Sequence, residues 1–351
     1  MTELHVVVPD GIDDPARPSG GNSYDRKICR ALRESGWPVH VHAVPGSWPR
    51  PDAQAYGALA GVVERIPNGA LTLLDGLVAS TAAEVLAPQG SRLRLVPLVH
   101  MPLGLVADGS ARARERAVLS AAASVVTTSA WSRRRLLELY SLPGDRVHVA
   151  EPGVDAAALS AGTKSGRALL CVAAVIPGKG HDVLLSALAT ITELSWDCLC
   201  VGSLERDPAF AASLRRRLSD DGLRDRVRFA GPLVGVDLDR CYGSADLLVL
   251  PSRSETYGMV VTEALAHGLP VVATDVGGVW EALGHATGGI QPGRLVPAED
   301  PAALAAALRA WLGEAEMRRT WRRAARERRA SLPRWSTTAS TLADVLAKAA
   351  R

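Results

Sequence analysis

The sequence predicts an α/β protein made of two doubly wound domains, each with a parallel sheet covered by helices. Short apolar runs alternate with helical patterns along the chain, a rhythm typical of parallel sheets flanked by helices. The chain has 351 residues, which fits two domains of about 100–200 residues each. Residues 151–167 lack periodicity and are punctuated by Pro152, Gly153, Gly162 and Gly166. We therefore place the interdomain linker there.

The first series of elements starts at the N-terminus. We expect a strand at residues 4–8, a helix at 24–35 and a strand at 39–44, since short apolar runs bounded by Gly or Pro are typical of buried strands. The N-terminus has neither the basic region nor the cleavage site of a signal peptide. No apolar run reaches the roughly 18 residues that a membrane span requires. We expect a cytoplasmic protein without a transmembrane segment, with peripheral membrane contact left open.

The second series supplies five further apolar strands and the C-terminal helices. The strands are expected at residues 168–175, 198–202, 226–230, 247–251 and 271–274. An arginine-rich helix is expected around 318–329, followed by a last helix at 337–348. The glutamates interleaved with the arginines of the first of these helices favour a solvent-exposed face rather than a binding surface. These patterns place the first domain at residues 1–160 and the second at 165–335.

Composition excludes several classes of protein. Lys plus Arg number 40 against 37 Asp plus Glu, and a net charge of +3 is too near balance for a nucleic-acid-binding surface. With 47% hydrophobic residues, the chain is not disordered. The five cysteines lack paired CxxC spacing and are expected to be thiols in a reducing compartment. Cys198 and Cys200 share a strand face, but with no second ligand pair nearby in sequence we expect core positions.

The most informative segment is residues 251–278, PSRSETYGMVVTEALAHGLPVVATDVGG. It predicts a strand end, a polar loop and a helix from about Gly258 to Ala266, which Gly268 and a following proline terminate. Loop amides ahead of a helix at the carboxyl end of a parallel strand favour phosphate. Glu255 and Glu263 can accept hydrogen bonds from vicinal hydroxyls. Either glutamate alone would fit a solvated face, but the combination indicates a nucleotide-sugar site.

Glu255 and Glu263 have the spacing of a Glu-x7-Glu motif, and the segment resembles that of the family 4 retaining glycosyltransferases, which have the GT-B fold. The resemblance implies two Rossmann-like domains facing a cleft, the first for the acceptor and the second for the donor. It implies that Glu255 contacts the donor sugar near its reacting ring and that Glu263 holds the ribose diol. It also implies that backbone amides approach the sugar and the diphosphate at Tyr257, Gly258, Met259 and Val260.

Other segments extend the resemblance over most of the chain. Lys179, one of only four lysines, lies in a Lys-Gly turn similar to the family's phosphate-binding turn, which implies that it faces the donor diphosphate. Gly20 and Gly21 follow the first strand and are similar to the family's N-terminal glycine loop, although such a pair is also common in simple turns. The resemblance also implies that residues 337–351 pack back on the first domain.

Two further matches concern the base and the reacting sugar. Residues 229–232, which include Gly231, are similar to the segment whose backbone contacts the base. His100 ends a strand of the first domain and is similar to the family histidine beside the reacting sugar. On the residue alone, a core or structural histidine fits equally well. The resemblance implies catalytic roles for His100, Glu255 and Lys179.

One departure from the family concerns charge on the diphosphate. The family usually has an arginine in the strand before the lysine turn, whereas Ala174 stands here. We consider Arg253 as a replacement, because it lies two residues before Glu255. The alternative is weakened or altered donor turnover.

No metal is expected in the reaction. Asp237 and Asp239 form an Asp-x-Asp string, but short acidic residues favour helix starts, so we expect them to begin a helix. Lys179 and the helix dipole would then stabilise charge on the leaving diphosphate. No cofactor is expected beyond the nucleotide sugar.

These patterns and the resemblance lead to one main functional hypothesis. The protein transfers a hexose from a nucleoside diphosphate sugar, UDP-linked in preference to GDP-linked, with retention of configuration. The acceptor is an unidentified small molecule, glycan or lipid, and no nucleic-acid partner is expected. The alternatives are a GT-B-like nucleotide-sugar epimerase or hydrolase, and a nucleotide-sugar-binding protein that has lost catalysis.

Overall fold

A computed structural model describes residues 3–16, 18–105 and 109–351. The chain divides into two compact units. The first takes in Met1–Asp13, Gly20–Gly153 and Pro333–Arg351, and the second takes in Asp14–Ser19 and Val154–Leu332. None of the helices within the described ranges is long and apolar enough to cross a membrane.

The first unit is a parallel α/β sheet with helices around it. Its described strands are β1 (Leu4–Pro9), β2 (Val39–Val44), β3 (Leu71–Asp75), β4 (Arg94–Val99), β5 (Val125–Thr127) and β6 (Val147–Val149). Its described helices are α1 (Gly20–Glu34), α2 (Ala53–Glu64), α3 (Gly76–Thr81), α4 (Ala83–Leu86), α5 (Gly109–Ala121), α6 (Ala130–Tyr140) and α14 (Trp335–Ala349). The strands pair in the order β2-β1-β3-β4-β5-β6, every pair parallel. Every residue of β3 is buried, as expected for a central strand covered on both faces.

The second unit repeats this architecture. Its described strands are β7 (Ala168–Val172), β8 (Asp197–Val201), β9 (Val227–Gly231), β10 (Leu247–Leu250), β11 (Val271–Thr274) and β12 (Gly293–Val296). Its described helices are α7 (His181–Ala189), α8 (Pro208–Asp220), α9 (Gly235–Ser244), α10 (Met259–Ala266), α11 (Val279–Leu283), α12 (Pro301–Gly313) and α13 (Ala315–Arg329). The strand order is β12-β11-β10-β7-β8-β9, again parallel throughout. The order reverses beside β7 and β10, so their carboxyl ends border the crevice where ligands of doubly wound sheets bind.

The structure confirms the predicted fold class, two doubly wound parallel-sheet units, and α1 and β12 are two of the elements that differ from the sequence prediction. Helix α1 begins at Gly20 rather than near residue 24, so Gly20 and Gly21 form its first turn instead of a loop. Strand β12 was not predicted, because its four residues include a glycine and an arginine and lack a continuous apolar run. Asp237 lies in the first turn of α9, which confirms its predicted place at a helix start.

The last helix, α14, belongs to the first unit and packs against α1. The Tyr24 ring meets the Trp335 ring edge-on, with ring centres 5.4 Å apart. The Thr338 hydroxyl donates to the Glu151 carbonyl over 2.7 Å. A Cβ atom at Gly153 would lie 2.3 Å from the Trp335 backbone nitrogen, so this approach requires glycine.

A buried carboxylate, Asp246, fastens the start of the second unit to its sheet. Its side chain is fully buried and accepts from the backbone N–H groups of Thr163 (2.6 Å) and Ala168 (2.9 Å). The Thr163 hydroxyl and the Arg322 guanidinium donate to the same carboxylate. The segment before β7 is therefore tied both to β10, which Asp246 precedes, and to α13.

We predict that Asp246→Ala lowers the free energy of unfolding of the second unit by about 3 kcal/mol, because buried donors lose a charged acceptor. Urea unfolding followed by the fluorescence of Trp196 and Trp311, both buried in this unit, would measure the loss. Asp237→Ala, which removes an exposed carboxylate paired with Arg240, is the control and should change stability by less than about 0.5 kcal/mol. Equal midpoints for the two variants would contradict the role of Asp246.

Candidate active site

The lysine turn lies directly against the loop that follows β10. Residues Pro177–Lys179 form a single helical turn, and Gly180 continues it in the left-handed region with φ 66°. A Cβ atom at Gly180 would lie 2.0 Å from the carbonyl oxygen of Pro251. Only glycine permits both the conformation and the contact, and the contact brings Lys179 beside the loop that carries Glu255.

Lys179 and Glu255 form an ion pair at the carboxyl edge of the sheet. Lys179 Nζ donates to Glu255 Oε1 over 2.7 Å, and the buried Ser252 hydroxyl donates to the same oxygen over 2.7 Å. The lysine side chain is 28% exposed and the glutamate side chain 12% exposed. Among the described residues both donors use Oε1, so the second carboxylate oxygen remains an acceptor for a ligand hydroxyl.

The backbone of Glu255 is held by the loop that follows β11. A Cβ atom at Gly277, whose φ is 58°, would lie 1.5 Å from the Glu255 carbonyl oxygen, so no side chain fits there. The Thr274 hydroxyl donates to the Ser252 carbonyl over 2.5 Å. These contacts fix the loop on both sides of the carboxylate before any ligand binds, which lowers the ordering cost of binding.

Helix α10 presents its N-terminus and Glu263 within the same motif. Gly258 precedes the helix with φ 90°, and no side chain from the described part of the chain caps it, so the first amides are available to an anion. The observed start, Met259, confirms the predicted helix to within one residue. Tyr242 donates to Glu263 Oε2 over 2.8 Å, and its ring stacks on His267. This hydrogen bond from α9 fixes the orientation of the Glu263 carboxylate.

Arg253, which we considered as a replacement for the missing arginine at position 174, is paired with carboxylates. Its guanidinium donates to both carboxylate oxygens of Asp182, over 2.9 and 2.8 Å, and to Glu299 over 3.0 Å. These hydrogen bonds hold the pKa of the Asp182 carboxyl below its usual range. Arg253 thus clamps the lysine turn to the loop before Glu255. The positive charge of Arg253 is already paired with the carboxylates of Asp182 and Glu299, which weighs against its proposed contact with the donor diphosphate.

The predicted base-binding segment ends strand β9. Gly231 has φ 79°, and its carbonyl accepts from the Gly202 amide over 2.9 Å. The space where a Cβ of Gly231 would lie is open. Phe229 is half-buried and its ring centre lies 6.1 Å from that of His181. Contact between this segment and a base stays a prediction.

In the first unit, His100 follows β4 and contacts two buried carboxylates. Its Nε2 lies 2.7 Å from Asp25 Oδ1 and 3.8 Å from Asp75 Oδ2. A Cβ atom at Gly21 would lie 3.2 Å from His100 Cδ2, so the first turn of α1 passes closely over the ring. Gly21, Asp25 and His100 are therefore neighbours, and the imidazole is 15% exposed.

The carboxylates around His100 share an unusual electrostatic environment. Burial alone would lower the pKa of His100, but the charge and hydrogen bond of Asp25 and the charge of Asp75 raise it. Burial and the neighbouring charge of Asp25 raise the pKa of Asp75 to about 7. Asp75 also caps α3 by accepting from the backbone N–H groups of Leu77 and Val78. Two aspartates and a histidine with ligand atoms this close could also hold a cation.

Sequence reasoning missed the residues that support these groups. Ser252, Asp182 and Tyr242 act through tertiary contacts that no local pattern signals. Asp75 carried a usable signal, since an acidic residue ending a fully apolar run sits at the carboxyl edge of a parallel sheet. Asp25 lies inside α1, and nothing in the local sequence distinguishes it from an ordinary helix residue.

The architecture, two doubly wound units each with a six-stranded parallel sheet in its described part, is that of the GT-B glycosyltransferases. Sucrose-phosphate synthase from Thermosynechococcus elongatus has the same fold, with a TM-score of 0.80 at 22% identity, covering 98% of each chain. HepE of Anabaena, solved in complex with UDP-glucose, gives a TM-score of 0.78 at 18% identity, covering 99% of this chain and 100% of its own.

The sequence comparisons point to the same class of enzyme. Residues 166–314 match the family model described as glycosyl transferases group 1. A D-inositol 3-phosphate glycosyltransferase of Jonesia denitrificans is 32% identical over 280 residues, 70% of this chain and 65% of the relative. One from Catenulispora acidiphila is 35% identical over 258 residues, 64% of this chain and 60% of the relative. The chain thus spans less than two thirds of the length of these relatives.

We predict that Asp75 makes a contribution to the stability of the first unit that falls as pH rises from 5 to 8. Asp75 has a pKa of about 7 in the folded protein and about 3.9 when unfolded, so the folded state binds more protons in this range. His100, with its raised pKa, acts in the same direction, because its contribution is lost as pH rises through that pKa. Asp75→Asn should reduce the fall by about 2 kcal/mol.

Urea unfolding of both proteins at pH 5, 6, 7 and 8 would measure this difference. Asp52→Asn is the matched control, because Asp52 is an exposed N-cap that accepts from Ala55. The control should leave the slope of stability against pH unchanged. A wild-type slope that Asp75→Asn leaves unaltered would show that Asp75 holds no extra proton in the folded state.

Proposed function

We propose that this protein is a retaining glycosyltransferase that transfers a hexose from a nucleoside diphosphate sugar, UDP-linked in preference to GDP-linked, to a hydroxyl acceptor. The observation that carries the proposal is the Lys179–Glu255 ion pair, formed at the sheet edge beside the start of α10, which no side chain of the described residues caps. A cation, helix N-terminal amides and a carboxylate on one edge match a diphosphate linked to a polyhydroxyl ring. The family and the UDP-glucose in the HepE structure support the same donor class.

Each donor-binding residue has a role that its contacts support. Lys179 would exchange part of its contact with Glu255 for the diphosphate, placing positive charge where the leaving group develops negative charge. Glu255 would accept a sugar hydroxyl through the oxygen that Lys179 and Ser252 leave unused. Glu263, oriented by Tyr242, would accept the ribose hydroxyls. Amides from Tyr257 to Val260 would approach the diphosphate.

The reaction that fits these groups breaks the bond between the sugar C1 and the diphosphate oxygen and joins C1 to the acceptor oxygen. In a retaining transfer the acceptor attacks from the face that the diphosphate leaves, and a phosphate oxygen takes the acceptor proton. The protein then contributes mainly positioning and electrostatic stabilisation. We assign His100 to contact with the reacting sugar, with Asp25 as its positioning residue.

The names of the relatives make a phosphorylated cyclic polyol the first acceptor class to examine. We propose further that transfer needs no added divalent metal, because Lys179 and the α10 amides would supply the charge that a metal otherwise provides. A cytoplasmic location is part of the proposal, and the five cysteines, none of which forms a disulfide, are compatible with it.

We predict that the purified protein transfers hexose from a UDP-sugar to inositol phosphate, and that activity changes by less than about twofold when Mg²⁺ or Mn²⁺ is added. A panel of UDP- and GDP-linked glucose, N-acetylglucosamine and mannose, with products resolved by mass spectrometry, identifies the pair. Proton NMR of the product reports whether the anomeric configuration is retained. Release of free hexose without acceptor dependence would favour a hydrolase instead, and a donor-induced rise in Tm without turnover would favour a binding protein.

We predict different kinetic losses for the two glutamates of the motif. Glu263→Ala should raise the donor KM about tenfold or more with little change in kcat, because it removes binding to the ribose. Glu255→Ala should lower kcat by about 100-fold, because it acts on the reacting sugar and holds Lys179. Glu316→Ala, on an exposed part of α13, is the control. Wild-type kinetics in both motif variants would refute the assignment of this site.

A further inference from the structure

The core of the second unit holds a cluster of side chains typical of a soft-metal site. Cys171 on β7 and Cys200 on β8 are direct register partners across neighbouring parallel strands. His181 is the first residue of α7, and Cys198 lies two residues before Cys200 on the same strand face. All four side chains are buried, with exposed fractions of 0–2%. We call these residues the thiol–imidazole cluster.

Three members of this cluster have ligand atoms at a spacing near that of a metal coordination shell. Cys171 Sγ lies 3.7 Å from His181 Nε2, and the ligand atoms of Cys171, His181 and Cys200 all lie within 4.8 Å of one another. The Cys198 thiol is outside this mutually close set. Bonds of about 2.3 Å to sulfur and about 2.0 Å to nitrogen place neighbouring ligands of a tetrahedral zinc about 3.5–3.8 Å apart.

Ordinary core packing explains the thiols but not the histidine. A buried thiol behaves as a small apolar side chain. An imidazole with no exposed surface is costly to bury, and among the described residues His181 Nδ1 has no hydrogen-bond partner. The one polar contact of this ring is to Cys171 within the described chain. A metal bond at Nε2 would compensate part of the cost of burying this ring.

We propose that the thiol–imidazole cluster binds one Zn²⁺ ion, with Cys171, His181 and Cys200 as ligands. Cys198 lies outside this close set and becomes the fourth ligand by rotation about its Cα–Cβ bond as the metal binds. Three thiols lose their protons to solvent as the three Zn–S bonds form. Three cysteines and one histidine complete a tetrahedral shell, which leaves no open position for substrate. The ion joins β7, β8 and the start of α7. The α7 ligand, His181, lies two residues after Lys179 in the sequence. Its role is structural, and it is separate from the metal-independent transfer proposed above.

Metal analysis of the full-length protein tests this proposal without any assay of transfer. Protein expressed with added zinc and then desalted should hold about one zinc per chain by plasma mass spectrometry. Replacement with Co²⁺ should give thiolate-to-cobalt charge-transfer absorption and the visible bands of a tetrahedral site. The thiolate band separates this site from zinc held by the histidines of the first unit, where the rings of His40 and His42 each stack on that of the buried His5.

Variants and a chelator supply the matched comparisons. Cys171→Val keeps a strand-compatible apolar side chain and should lose the metal and the cobalt band. Cys241→Val, which removes a half-buried thiol of the same unit outside the cluster, should keep both. Removal of zinc from the wild-type chain with a strong chelator should lower Tm by several degrees, and added zinc should restore it.

The chelator experiment needs no variant, so it decides the question even if Cys171→Val fails to fold. Less than about 0.2 zinc per chain after zinc-supplemented expression would overturn the proposal. An unchanged Tm after complete metal removal would also overturn it, as would a Cys171→Val protein that holds as much zinc as the wild type.

Discussion

The candidate donor site depends on one close approach, that of the Lys179 turn to the loop after β10. The Gly180 backbone fills the space beside the Pro251 carbonyl, and no other residue type fits there. The Arg253 clamp on Asp182 and Glu299 then holds the two segments from the outside, while the Lys179–Glu255 ion pair joins them on the inside. A charged pair is thus positioned by backbone contact rather than by long flexible side chains, which is how a site becomes preorganised.

The two units handle their buried charge in different ways. In the second unit, the carboxylates of Asp246 and Asp182 are each paired with an arginine. In the first unit, Asp25 and Asp75 lie together with a single imidazole, and burial makes it unfavourable for every group to be charged at once. With its pKa raised to about 7, Asp75 of the first unit therefore holds a proton in part of the neutral pH range.

The sequence predicted most of the architecture, because the spacing of apolar residues and the glycines and prolines that end each element reflect interactions between residues close in sequence. Strands such as β11 are continuous β-branched or apolar runs, and α10 ends where glycine and proline require it. The pairing of Lys179 with Glu255 was not readable from spacing, since 76 residues separate them. The same holds for Cys171 and Cys200, which only strand register brings together. Long-range packing decides such contacts, and a single sequence carries no local signal for them.

The place of α14 has a consequence for the order in which the chain is made. The second unit ends at Leu332, whereas the first unit includes Pro333–Arg351. During synthesis the second unit therefore emerges whole while the first still lacks the helix that covers Tyr24 and Gly153. The usual order, in which the N-terminal domain is completed first, is reversed. The first unit is therefore the later of the two to close its own core.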